Sequence, residues 1–394
     1  MSAALPLLHD PVSGTALDWE SAHVLAGAGT RYPVIDGIAY LRAGRDALRT
    51  AALDQIDRGD LPAARRLLLA DRDDHAKGPP PDPDALARLG SGEIATLREA
   101  MAALGFGPVA DYFAHRWSAP TFVSALGLLS AYWREDQGLI EIGCGIGQIL
   151  REAQALGQAV IGIDVVFSKL WLARRFVLGG EAALLCADAE RAPVLAPPSG
   201  ASSGACVLCH DALYFLRDKA AVLATMRALA GAEGTVLVGH AHNASVDQRG
   251  VGGWPLVPAD WAALMPQATL YDDRACAEAW IAGRTPAPAR LASLDKAEAL
   301  CLAEGTPNAL PRPIGTTGAQ RYRLNPLLGE TTSGTLAPHW PSEALAREYA
   351  HAPYLHQSHP PAPETVAAAE AGLLTPAVRA LVRKRVLIDL PEAW

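Results

Sequence analysis

Three glycines in seven residues, Glu141-Ile142-Gly143-Cys144-Gly145-Ile146-Gly147, stand between a short apolar run and a helical pattern. Glycine there lets the backbone turn sharply and lets a ligand lie close against it. The spacing is G-x-G-x-G with Gln at 148, which departs from the dinucleotide fingerprint G-x-G-x-x-G. No Lys-Ser/Thr pair follows, so a phosphate-cradling P-loop is excluded. An acid at Glu141 is also badly placed beside a pyrophosphate. Two further acids follow in order. Asp164 ends the next apolar run, 17 residues beyond Gly147, where a carboxylate can accept both hydroxyls of a ribose. Asp188 follows another apolar run, flanked by Ala187 and Ala189, which are small enough to leave room for a purine whose amine the acid would accept.

A second set of polar residues falls at later run ends: His210 and Asp211 in CHDALYFL, then His240, His242 and Asn243 in GHAHN. Imidazole titrates near neutrality, so a positioned histidine there can serve as general base. His210 is the first choice, His240 the second, and Asp211 completes the catalytic set. The histidine spacing does not bring three imidazoles to one point, and no metal is expected. Cys206 and Cys209 form C-x-x-C, but three residues apart in a strand they face opposite ways, which argues against a zinc knuckle. Cys144 reads as a small filler in the glycine loop.

These residues need a scaffold that brings run ends together. From 138 to 238, apolar runs at 138–142, 159–163, 183–186, 205–209 and 235–238 alternate with helical patterns at 147–155, 168–178 and 217–230. That alternation predicts a doubly wound, mostly parallel sheet, with ligands over the carboxyl ends of its strands. Upstream, TRYPVIDGIAYL at 30–41 predicts a hairpin turning at Asp36-Gly37. An αα-hairpin is expected around Arg58-Gly59-Asp60, a linker at 78–84 and a helix over 119–133 after Pro120. Downstream, helices are expected at 273–282, 292–304, 342–350 and 364–385, and strands at 321–324 and 385–390.

With these pieces in order, residues 138–240 resemble a class I S-adenosylmethionine-dependent methyltransferase. The match rests on EIGCGIG at 141–147, GID at 162–164, ADAE at 187–190 and CHDALYFL at 209–216. The resemblance implies a Rossmann-like α/β sheet and S-adenosyl-L-methionine as cofactor. Gly143, Gly145 and Gly147 would pack on its amino-acid part, Asp164 would hold the ribose and Asp188 the adenine. Glu141, Val165, Ala189 and His210 would complete the cofactor's surroundings. The helix before the first strand often closes over the cofactor in this fold, which brings in Tyr112 and Arg116. With Tyr214, His242 and Asn243 they form the expected substrate set. The implied reaction is in-line methyl transfer, on O, N or C, to a small molecule or a peptide-derived natural product. A catalytically silent scaffold and another use of the sulfonium stay open as alternatives.

The N-terminal stretch LLHDPVSGTALD…RYPVIDGIAYLRAG resembles the short zinc-ribbon-like domain that activates or accompanies some methyltransferases. That family commonly carries C-P-x-C, whereas this chain has no cysteine before Cys144, so a four-cysteine zinc site is excluded. The resemblance implies a metal-free β unit that docks a partner protein, or a homodimer, or shapes the substrate. The expected organisation is a β unit at 1–43, a helical cap at 44–133, a cofactor-binding core at 134–272 and a C-terminal extension at 273–394. That extension is expected to act as a lid, through His351, Tyr354, His356 and His359, with its last strand joining the core sheet.

Composition sets the outer limits. Of 394 residues, 34 are basic and 42 acidic, for a net charge of −8, the wrong sign for a DNA binder held by bulk charge. The run after 205 also lacks the Asn/Asp-Pro-Pro-aromatic signature of enzymes that methylate base amines. Half the residues are hydrophobic, which excludes a mostly disordered chain. No apolar run reaches the roughly 18 residues of a membrane span, and the first residues lack a basic signal-peptide start. A cytoplasmic biosynthetic enzyme is the expectation.

Overall fold

A computed structural model describes residues 7–73, 80–191, 195, 204–247, 252–318, 320–350, 352 and 359–394. Its main-sheet strands are β1 (Leu8–His9), β2 (Ala16–Ser21), β3 (Val24–Gly27), β4 (Thr30–Ile35), β5 (Ile38–Tyr40), β6 (Leu139–Ile142), β7 (Val160–Asp164), β8 (Ala183–Cys186), β9 (Cys206–His210), β10 (Thr235–His242), β11 (Thr269–Asp272) and β12 (Ala299–Glu304). All twelve form one sheet in the order β1-β2-β3-β4-β5-β8-β7-β6-β9-β10-β12-β11. From β5 to β10 the neighbours run parallel, and β12 and β11 close that side antiparallel. The order reverses beside β6, so the crevice of this doubly wound sheet opens over the carboxyl ends of β6 and β9. Gly143 to Gly147 and Asp211 stand at that point.

The parallel strands are apolar over most of their length because both faces are covered, with polar residues chiefly toward their carboxyl ends. Leu139, Leu184, Cys206, Leu208 and Leu237 pack on one side with the helices Pro120–Tyr132 and Asp273–Ala282. Ile140, Leu185, Val207, Cys209 and Val236 pack on the other with the helix Lys219–Ala230. Cys206 and Cys209 thus lie in different cores, as their spacing requires.

The hairpin of β4 and β5 pairs Ile35 with Ile38 and turns through Asp36 and Gly37, both at positive φ. The αα-hairpin is present as Asp46–Asp57 and Leu61–Leu69. Three expectations need correction. The N-terminal β unit is not free-standing: β5 pairs parallel with β8, and Leu8, Leu17, Tyr32 and Val34 share a core with Ile163 and Leu185. The stretch 292–304, rich in helix-favouring Ala, Leu and Glu, is strand from Ala299, because a place between β10 and β11 buries ALCLA on both faces and overrides propensity. The core therefore runs past 272 to 304. The last strand, Leu387–Asp389, pairs with Tyr322–Leu324 in a separate two-stranded sheet and does not join the core sheet, whose last edge β11 already occupies. Among the described residues, no helix is long and apolar enough to cross a membrane.

Candidate functional site

The glycine loop is locked from the second strand. Asp164 is buried, and its Oδ2 accepts from the Gly145 N–H at 2.9 Å while Oδ1 accepts from Val166 N–H at 2.9 Å. A carboxylate offers about four lone-pair positions, so two remain for a ligand. Gly143 and Gly145 sit at φ 73° and 56°, and an added Cβ would lie 2.6 Å from Ala212 and 3.0 Å from Phe113. No L side chain fits either place without displacing its neighbour. Glu141 is 3% exposed, and its Oε2 has no hydrogen-bond partner among the described residues. Burial pushes its carboxyl well above the usual range, against the pull of Arg116. A buried polar atom without a partner beside a glycine loop fits a ligand that brings a donor. Asp188 and Ala189 are half-buried at the end of β8, where Asp188 Oδ1 accepts from Glu190 N–H at 3.0 Å. Val165 is half-buried after Asp164.

Across the crevice, Asp211 follows β9 and draws residues from several elements. Its Oδ2 accepts from Tyr112 Oη at 2.6 Å and from Arg116 Nη1 at 3.0 Å, and its Oδ1 from Tyr214 Oη at 2.8 Å. Arg116 also donates to Tyr112 and lies over its ring, 4.9 Å from the centroid. Burial alone would lift the Asp211 carboxyl, but Arg116, the two nearby histidines and the Tyr112 hydrogen bond hold it well below the usual range. Asp211 is therefore a half-buried, charged hub.

His240 and His242 were expected in a loop beyond the fifth strand. They belong to β10 itself, which continues to His242 because β12 gives it an antiparallel partner. A register shift between Val238 and Ala241 marks a bulge, the kind of irregularity that re-aims side chains at strand ends. Asp211 and His240 both take left-handed φ, 55° and 47°, an unfavourable conformation for side-chain-bearing residues that concentrates at functional sites. His240 Nδ1 lies 3.0 Å from Asp273 Oδ2. Burial lowers the His240 imidazole, but Asp273 lifts it to about 9. The His240 and His242 rings meet edge to face at 4.7 Å, and His242 meets Tyr214 at 4.5 Å. Asp211, His240 and His242 each offer one ligating atom, all within 4.8 Å of one another. The spacing alone did not bring these groups to one point.

Two expected residues are turned elsewhere. His210 Nε2 donates to Thr121 O at 2.7 Å, the direction a carbonyl acceptor demands, and its Nδ1 is sealed against Gly239. Burial and Arg116 pull this imidazole down to about 4. Its ring is thus a wedge between β9 and the helix Pro120–Tyr132, with no nitrogen toward the crevice. Asn243 is fully buried, and its amide donates to the carbonyls of Leu294, Asp295 and Ala297. It anchors a loop and is not presented to a substrate. Asp273 was missed: Asp272-Asp273 reads as an ordinary helix start, and Asp272 does cap Arg274. Only the turn of that helix shows the second acid facing inward. His351, Tyr354 and His356 lie outside the described residues, and His359 is exposed. From the C-terminal extension, Tyr349 is buried within electrostatic reach of Arg116 and Asp211.

Residues 140–238 match the family model described as a methyltransferase domain. No curated protein matches the chain in sequence. Among solved structures, the chain is similar to human N-acetylserotonin methyltransferase in complex with S-adenosylmethionine, at 16% identity over 68% of this chain and 73% of that one, TM-score 0.34. It is similar to a TehB-like S-adenosylmethionine-dependent methyltransferase from Corynebacterium glutamicum, at 16% identity over 51% and 100%, TM-score 0.34. It is also similar to the Haloferax volcanii complex between the Trm112 methyltransferase activator and a methyltransferase, at 15% identity over 54% and 99%, TM-score 0.39. The chain thus carries a stretch similar to methyltransferase domains, and it spans the strands from β6 into β10.

Proposed function

We propose that the protein transfers the sulfonium methyl of S-adenosylmethionine to a hydroxyl or amine of a small-molecule or peptide-derived acceptor lying over the ends of β9 and β10. In this reading the cofactor's amino-acid part lies along Gly143, Gly145 and Gly147, with its ammonium on the unpartnered oxygen of Glu141. Asp164 takes the ribose hydroxyls with its remaining lone pairs, and Asp188 and Ala189 receive the adenine. Val165 flanks the ribose. The acceptor meets Tyr112, Arg116, Tyr214 and His242, with Asp211 as their common anchor.

The carrying observation is the Asp273–His240 pair on the same rim as the glycine loop. Asp273 stands 3.0 Å from Nδ1 as an ion-pair partner, and in this reading Nε2 serves the acceptor. Among the strand-end histidines, His240 is thus the one at the acceptor; held up to about 9 by Asp273, it activates the acceptor as a base only as pH nears that value. His210 instead ties β9 to the helix Pro120–Tyr132. The displacement itself needs chiefly alignment of acceptor, methyl and sulfur, which a rigid sheet rim supplies.

Calorimetry with S-adenosylmethionine and its demethylated product tests the cofactor half. Asp164→Ala is expected to weaken binding about 100-fold, since it removes charge-assisted hydrogen bonds worth roughly 1.5–3 kcal/mol each. His240→Ala is expected to keep cofactor affinity within about twofold while lowering methyl transfer by about 10²–10⁴. Absence of cofactor binding to the wild-type chain would sink the reading.

A further inference from the structure

The rim cluster holds two imidazoles and one carboxylate whose ligating atoms lie within 4.8 Å of one another. Around a tetrahedral cation with ligands at about 2.1 Å, ligating atoms stand roughly 3.4 Å apart, so modest side-chain rotation closes the set. His240 is already oriented as a metal-binding histidine commonly is, with its other nitrogen on a carboxylate, Asp273. Asp211 is fixed from behind: Arg116 and Tyr112 bind Oδ2, while the hydrogen bond on Oδ1 comes from Tyr214. Oδ1 therefore keeps a lone pair. His242 is held edge-on between Tyr214 and His240.

We propose that Asp211, His240 and His242 form a three-ligand site for a divalent transition metal at the acceptor rim, with an open position for an oxygen or nitrogen of the acceptor. Two imidazoles select zinc or a neighbouring first-row metal over magnesium or calcium, which prefer all-oxygen sites. Three protein ligands with a vacant position are the arrangement of catalytic rather than structural metal sites. The proposal rests on the acceptor lying at this rim and deepens that reading, with His240 acting as a ligand of the cation rather than as the destination of the proton. On an acceptor hydroxyl, the oxygen binds the cation and its proton goes to bulk water. The oxygen then forms the bond to the methyl carbon, the carbon–sulfur bond breaks, and its electron pair stays on sulfur as the neutral thioether.

The full chain, stripped with a chelator, is titrated with Zn²⁺ by calorimetry and with Co²⁺ by visible absorption. One cation per chain is expected. His242→Ala and Asp211→Asn are expected to weaken Zn²⁺ binding at least 100-fold. Asp273→Asn is expected to weaken it about 10–100-fold, through loss of the carboxylate behind His240. The exposed His359, changed to Ala, controls for adventitious binding and should change nothing. S-adenosylmethionine binding by each variant reports folding and tests the cofactor reading separately. A wild-type chain that binds S-adenosylmethionine but no stoichiometric Zn²⁺ or Co²⁺ overturns the metal site, and so does Zn²⁺ binding that survives His242→Ala. If S-adenosylmethionine fails to bind, the cofactor reading falls whatever the cation does.

Discussion

The two walls of the crevice are built differently. The wall proposed for the cofactor is nearly continuous in the chain: β6, the glycine loop and β7 supply Glu141, Gly143, Gly145 and Asp164 within 24 residues, tied by one carboxylate on two backbone N–H groups. The acceptor wall is assembled from remote segments. Tyr112 and Arg116 come from the helical segment between β5 and β6, Asp211 and Tyr214 from after β9, His240 and His242 from β10, Asp273 from the helix after β11 and Tyr349 from the extension. A local wall can be carried by a short motif. A wall made of long-range contacts depends on the packing of the whole fold, and its buried charges must be balanced by one another.

Removing Arg116 should break that balance hardest. Arg116→Met leaves the Asp211 charge buried without its cation, and about 3–5 kcal/mol of stability should be lost in denaturant unfolding. An unchanged midpoint would mean that the acceptor wall is held by something other than this network.

The cofactor wall has its own distant support. Glu152, on the helix that follows the glycine loop, is buried with Oε2 accepting from Gln320 at 2.7 Å, beside Asp389 of the C-terminal strand. Burial and Asp389 push its carboxyl up to about 7. The folded state then binds this proton more tightly than the unfolded state. The contribution is present at low pH and is lost as pH rises from about 4.5 to about 7. Glu152→Gln should remove this slope, so the variant gains on the wild type by on the order of 2–3 kcal/mol between pH 5 and pH 8. Parallel stability curves for the two proteins would place the carboxyl in an ordinary environment and weaken the link between extension and glycine loop.

The smallest effect is expected at Asn243, whose amide reaches three carbonyls of the 294–297 loop. Asn243→Ala should cost about 1–3 kcal/mol of stability through unsatisfied buried groups and leave cofactor affinity unchanged. A changed Michaelis constant for the acceptor at unchanged stability would return this residue to the substrate wall.

These differences explain which parts could be read along the chain. The glycine loop, Asp164 and Asp188 each follow a recognisable strand, and a positive-φ glycine has a local cause. The end of β10 could not be read, because GHAHN leaves the strand pattern through a bulge and continues only where β12 pairs with it. The choice between His210 and His240 was equally hidden. Both histidines end apolar runs, yet one is capped by Thr121 O and the other faces Asp273. The stretch 292–304 misled because its helix-favouring residues form a strand buried on both faces.

Alternating apolar runs and a glycine loop with two spaced acids were enough to specify a doubly wound sheet and the crevice over the carboxyl ends of its strands. Both follow from short-range physics: backbone freedom at glycine, period-2 and period-3.6 burial, and acids at strand ends. Folding was needed to turn His210 to Thr121 O and His240 to Asp273, to gather Asp211, His240 and His242 on one rim, and to stitch the N-terminal strands onto β8. Those outcomes depend on contacts between residues tens to hundreds of positions apart, and no local pattern encodes which way a buried imidazole will turn.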